Sequence, residues 1–80
     1  MGPVDWGSLL STLGYDALGL VWGLDLGQLR DLPEEELRSI LSYTLRLNAE
    51  SDLGRSVAEW QWMAGPERLE RLRLASSAVG

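Results

Sequence analysis

Over the seventeen residues from Asp31 to Leu47, DLPEEELRSILSYTLRL, apolar side chains recur with a helical period, and no other feature constrains the fold as strongly. Leu37, Ile40, Leu41, Thr44 and Leu45 fall on one stripe, with Arg38, Ser39, Ser42 and Arg46 opposite. The start is also signalled. Asp31 is expected to cap the first-turn amides while Glu34 reaches back as in a capping box, and Pro33 suits a position that needs no amide donor. Glu34, Glu35 and Glu36 then lie where the helix dipole favours negative charge. A one-faced helix must bury that face against something, so the rest of the chain is read as its packing.

Eighty residues make one domain, here residues 1–80, with a frayed tail expected from about Ala75. A chain of this length buries only about 60% of its unfolded surface, so a partner or a second copy would add to its stability. It has neither cysteine nor histidine. That removes disulfides, thiolate and imidazole chemistry and the usual zinc and haem ligands, leaving carboxylates, hydroxyls and arginine. The sequence therefore points away from an enzyme and implies no cofactor. Charge is uneven: residues 1–37 hold seven acids against Arg30 alone, whereas residues 38–80 hold six arginines and five acids. An acidic front half repels a phosphate backbone and argues against nucleic-acid binding. An acidic phage-type inhibitor that mimics DNA would need a denser carboxylate array.

The N-terminus has no basic region ahead of an apolar run and no myristoylation pattern, so an intracellular, soluble chain is expected. Val4 to Leu13 reads as a short helix with Asp5 as cap, Trp6, Leu9, Leu10 and Leu13 as its stripe, and Gly14 as its stop. The stretch from Leu13 to Leu29 is ambiguous. As a helix it places Gly19, Gly23 and Gly27 four apart on one face, open to close approach by another backbone. Three glycines cost such a helix roughly 3 kcal/mol. As a strand, Leu18, Leu20, Trp22, Leu24 and Leu26 alternate with Gly19, Val21, Gly23, Asp25 and Gly27, but one strand has no pairing partner in this chain. A helix broken near Gly23 to Gly27 is favoured. Asp16 and Asp25 would each cost about 2.5–3.5 kcal/mol near a bilayer centre, which argues against a membrane span.

Two resemblances arise. Leu13-Gly14-Tyr15-Asp16-Ala17-Leu18 resembles the signature of acyl and peptidyl carrier proteins, but Ala17 stands where that family's serine carries the phosphopantetheine arm, so no arm can be attached. Leu32-Pro33-Glu34-Glu35-Glu36-Leu37, then Ile40-Leu41-Ser42-Tyr43, Asp52-Leu53, Val57 and Trp60, is similar to the F-box, a three-helix module that docks on a Skp1-type adaptor of cullin ubiquitin ligases. That resemblance implies adaptor-facing roles for Leu32, Pro33, Ile40, Leu41 and Trp60. Leu45 falls one residue late, and the spacing from Asp52-Leu53 to Val57 and Trp60 is shorter than the family's.

Beyond Leu47, Asn48 suits a left-handed helix end. Ser51 or Asp52 can then cap a further helix to about Met63, with Leu53, Val57, Trp60 and Ala64 on its stripe. Trp62 lies about 200° from Trp60 on a helix, too far round to share one core, and is assigned to an interface. Gly65-Pro66 starts the last helix, in which Leu69 and Leu72 point inward, followed by Leu74 or Ala75. Glu67–Arg71 and Glu70–Arg73 are spaced to pair, and Arg68, Arg71 and Arg73 read as a solvated face.

The sequence thus predicts an all-α compact bundle of four or five short helices. Its function is read as non-catalytic protein–protein interaction or regulation, with another protein or a second copy as partner and a homo-oligomer expected. The partner-binding surface is assigned to Trp22, Trp62, Gly19, Gly23 and Gly27. Besides the F-box-like adaptor and the phage-type inhibitor, the alternative is a small carboxylate metal site built on Asp16, Asp25 and Glu34 to Glu36.

Overall fold

The computed structural model describes residues 15–63 and 65–79, and these form five helices: α1 Tyr15–Trp22, α2 Leu26–Arg30, α3 Glu34–Ala49, α4 Leu53–Trp60 and α5 Gly65–Val79. The architecture is all-α among the described residues, which removes the strand reading for residues 15–29. The expected helix Val4 to Leu13, with Trp6, and the residue Ala64 lie outside the described residues.

The α1–α2 break falls within the predicted glycine stretch. Gly23 has φ +66°, and the Leu24 amide bonds back to the Gly19 carbonyl at 3.2 Å, a left-handed helix end of the Schellman type. Asp25 then caps α2, its Oδ1 accepting from the Gly27 amide at 3.0 Å. α2 folds tightly under α1: a Cβ on Gly19 would lie 2.7 Å from Leu26 Cδ2.

α3 is the central element, packed most extensively against α5. It begins differently from the expectation. Asp31 closes α2, Pro33 occupies the N-cap position of α3, and no side chain caps it. Asp31 is drawn off because five residues of α2 sit just upstream, and its own amide completes that helix by bonding to Gly27 O. The three glutamates do fill the first turn. Leu37, Ile40, Leu41 and Thr44 are buried as expected, but Leu45 is 50% exposed and Leu47 replaces it in the core. α3 also runs past Asn48: the left-handed residue is Ser51, φ +64°, with Asp52 N bonding to Leu47 O at 2.9 Å and Ser51 N to Asn48 O at 3.2 Å. This is the same motif that ends α1, with serine where glycine is easier.

Three aromatic rings fill the space between α1, α3 and α4. Trp22 stacks on Trp60 with centroids 4.8 Å apart, and Tyr43 lies 6.3 and 6.4 Å from the two indoles. The Trp22 indole N–H donates to Thr44 Oγ1 at 2.9 Å, and that hydroxyl donates to the Ile40 carbonyl at 2.8 Å. One threonine thereby satisfies a buried indole and sets its orientation. α4 ends at Trp60 rather than Met63, although Met63 is still buried.

The last helix runs to Val79, past the point where fraying was expected. Ala75 packs on the core and Ser76 is buried, its hydroxyl donating to Arg73 O at 3.0 Å. Leu72 is fully buried while Leu74 faces out. Arg73 joins α5 to α3 through Glu36 at 2.8 Å and also meets Glu70 at 3.3 Å, as expected for the latter pair. The Glu36 contact holds the Arg73 guanidinium above its usual range, so the pair stays ionised. Among the described residues, Glu67 and Arg71 form no ion pair, although the spacing allows one.

Candidate functional site

The backbone after α4 is held by an arginine that the sequence places on a solvated face. The Arg68 Nε donates to Trp60 O at 3.1 Å, one terminal nitrogen donates to Gln61 O, and the other approaches Gly23 O at 3.5 Å. A single guanidinium thus serves carbonyls at the ends of both α1 and α4, where helix dipoles favour a cation. Nothing in the local sequence signals this role, because the carbonyls it meets are set by how three helices converge.

This clamp fixes the stretch that carries Trp62. Gln61 N bonds to Ala58 O at 3.4 Å, and Met63 N bonds to Trp60 O at 3.1 Å. Trp60 and Met63 point into the core, which turns the intervening Trp62 outward, 79% exposed. The angular argument from sequence foresees this outcome. An indole of this size leaves roughly 200 Å² in water, and covering it is worth about 4–5 kcal/mol at ~25 cal/mol per Å².

The other residues assigned to partner binding are placed elsewhere. Trp22 is 4% exposed, and its ring and its N–H are both committed to core partners. The face made by Gly19, Gly23 and Gly27 does not form, because the helix that would align them ends at Trp22. Gly19 admits Leu26, Gly23 makes the left-handed turn beside Arg68, and Gly27 lies in the capped first turn of α2. These glycines shape the chain's own hairpin.

A second exposed apolar feature was not singled out from the sequence. Leu20 projects from α1, 86% exposed, at the edge of a shallow groove of about 420 Å³ lined by Asp16, Gly19, Leu20, Leu24 and Leu26. Leu20 stood in the alternation that also allowed a strand, so its outward direction was not legible before the helix was known.

The carboxylates proposed as a metal site are not gathered: among the described residues no group of three or more acidic side chains could hold an ion. Several acids pair locally instead, Glu34 with Arg38 at 3.2 Å, Glu59 with Arg55 at 3.3 Å and Glu50 with Arg46 at 3.7 Å. These pairs are exposed and contribute a few tenths of a kcal/mol each. Asp25 is occupied as a cap. Of the positions matching the F-box pattern, Ile40, Leu41 and Trp60 lie within this domain's own core, Leu32 is half-buried and Pro33 is exposed. No helix among the described residues is long and apolar enough to cross a membrane. Compared with known proteins, the chain matches no family model, no curated protein and no solved structure.

Proposed function

We propose that this chain is a non-catalytic protein-interaction domain that docks through a surface centred on Trp62. The observation that carries the reading is an indole 79% in water on a backbone pinned at both sides. An exposed tryptophan leaves apolar area uncovered in a small domain, and tryptophan is enriched among residues that dominate interface energies. Because Trp60 and Met63 are buried and Arg68 holds the adjoining carbonyls, little backbone order is lost when Trp62 is covered. Preorganisation of this kind raises affinity without adding contacts. The indole itself has only two rotatable bonds to freeze.

The partner is a protein surface with an apolar pocket, either another protein or a second copy of this chain. The test is affinity capture with tagged wild-type chain and tagged Trp62→Ala, run against its source lysate and against untagged chain. A stoichiometric protein, or the untagged chain itself, should be retained by the wild type and lost by the variant. The melting temperature should change little, since Trp62 contributes little buried area. If both baits retain the same proteins in the same amounts, the Trp62 surface is not the interface.

A further inference from the structure

We infer that the outer face of α4 docks on the same face of a second copy of this chain. The inference rests on the reading of Trp62 as an interface anchor and names its partner. Leu53, Val57 and Trp60 turn one side of α4 to the core, which leaves Gly54, Arg55, Ala58 and Glu59 exposed on the other. Gln61 keeps helical angles, φ −64° and ψ −24°, so the turn carries on to Trp62. Four-residue spacing sets Gly54, Ala58 and Trp62 in one row, with Arg55 and Glu59 along a single flank. A Cβ built on Gly54 meets nothing within 4 Å, so the row is open at the end away from the indole.

Charge selects the occupant. Arg55 and Glu59 are opposite in sign and lie on one flank, which makes the face complementary to itself, whereas a partner of uniform charge would be repelled by one of the two. A two-fold axis crossing the row at Ala58 sets the second helix antiparallel and keeps the charged flanks together. At ~1.5 Å rise per residue, each Trp62 then lies level with the partner's Gly54, and each Arg55 lies about 3 Å along the axis from the partner's Glu59. Within the chain Arg55 uses only Nε, bonded to Glu59 Oε1 at 3.3 Å. Among the described residues its two terminal nitrogens bond to no protein group, and they form the fork that a second carboxylate takes. Shape agrees with charge, since the indole is the one large knob on this face and Gly54 the one position without a side chain. The patch is small. Each indole supplies roughly 200 Å², whereas a stable dimer buries about 800 Å² on each partner, so the association is reversible, with a dissociation constant of about 100 µM. The net charge of −5 opposes it at low ionic strength. It is therefore measured at about 0.15 M salt, where the Debye length is about 8 Å.

Sedimentation equilibrium of the full chain from about 10 µM to about 1 mM should show monomers giving way to dimers, and Trp62→Ala should stay monomeric. Arg55→Glu and Glu59→Arg each set like charges against one another across the axis and should each weaken the dimer by roughly tenfold or more. Both positions are exposed, so the fold is retained. Mixed in equal amounts, the two variants should form a heterodimer about as tight as the wild-type dimer, because each contact across the axis then pairs an acid with an arginine. Gly54→Gln, which has room in the single chain, should keep the melting temperature of the dilute protein and lose the dimer. The inference is overturned by a wild type that stays monomeric at about 1 mM, by Trp62→Ala or Gly54→Gln chains that dimerise like the wild type, or by a mixture no tighter than the separate variants. If no dimer forms but Trp62→Ala loses a different protein in affinity capture, this inference fails and the reading of Trp62 stands. If Trp62→Ala changes neither dimer nor capture, both fail.

Discussion

Removing the Arg68 guanidinium should loosen two helix ends at once, and the loss is detectable through its neighbour Gly23. Arg68 makes two good bonds to carbonyls of the α4 end and one long one, 3.5 Å, to Gly23 O. A hydrogen bond from a charged donor is worth about 1.5–3 kcal/mol when buried, but this side chain is only partly buried, so the two short bonds together are assigned about 2 kcal/mol. Favourable charge at two helix C-termini adds about 0.5 kcal/mol each. Arg68→Ala should therefore destabilise by roughly 2–3 kcal/mol, and Arg68→Lys by about half as much, since an ammonium keeps the charge but not the planar fork. Gly23→Ala has two costs: about 1–2 kcal/mol for a left-handed alanine at φ +66°, and the displacement of an Arg68 nitrogen that would lie 2.7 Å from the new Cβ. In the Arg68→Ala background the second cost vanishes. Urea unfolding of the four chains of this double-mutant cycle should give a coupling of about 0.5–1 kcal/mol. Strictly additive costs, or an Arg68→Ala loss below about 0.5 kcal/mol, would refute the clamp.

Three further perturbations test the packing. Ser51→Gly should raise the urea midpoint at unchanged slope, stabilising by about 1 kcal/mol, because serine holds φ +64° where glycine is unstrained; a lower midpoint would mean that the serine side chain has a role of its own. Thr44→Val should cost about 1–3 kcal/mol by leaving the Trp22 N–H unpaired, whereas Thr44→Ser, which keeps the acceptor, should cost less, as measured by thermal melts with near-ultraviolet dichroism. Burial pushes the Tyr43 phenol above 10, outweighing the opposing pull of the Ser56 hydroxyl, so the fold favours the neutral form. Its contribution is fully present below pH 10 and is lost as the pH rises above 10 through the folded value; Tyr43→Phe should flatten that fall in melting temperature.

Periodicity carried the fold where it was long. The stripe of α3 identified Leu37, Ile40, Leu41 and Thr44 correctly, and the same reasoning turned Trp62 away from Trp60. Errors gathered at helix ends. Asp31 and Ser51 read as helix starters and Asn48 as a helix end, whereas Asp31 closes α2 and Ser51 takes the left-handed position after α3; which role a residue plays depends on how far the preceding helix runs, a tertiary matter. Glycine spacing was misleading for the site. Gly19, Gly23 and Gly27 look like one face only if the helix is continuous, and Gly23 is the residue that breaks it. Arg68 was illegible for a related reason: its acceptors are main-chain carbonyls, which carry no side-chain signature. Trp22 shows the limit of residue type. Tryptophan suits interfaces and cores alike, and the Thr44 hydroxyl that claims its N–H lies twenty-two residues away.

The most direct test of the central claim is fluorine NMR of the chain labelled with 5-fluorotryptophan, recorded in H₂O and D₂O before and after association with the captured protein or with further copies of itself. The Trp62 resonance, assigned through Trp62→Phe, should show a solvent-isotope shift in the free chain that Trp22 and Trp60 lack, and it should lose that shift in the complex. A Trp62 resonance that remains solvent-shifted in the fully formed complex would contradict the account, because the indole would then lie outside the interface it is proposed to anchor.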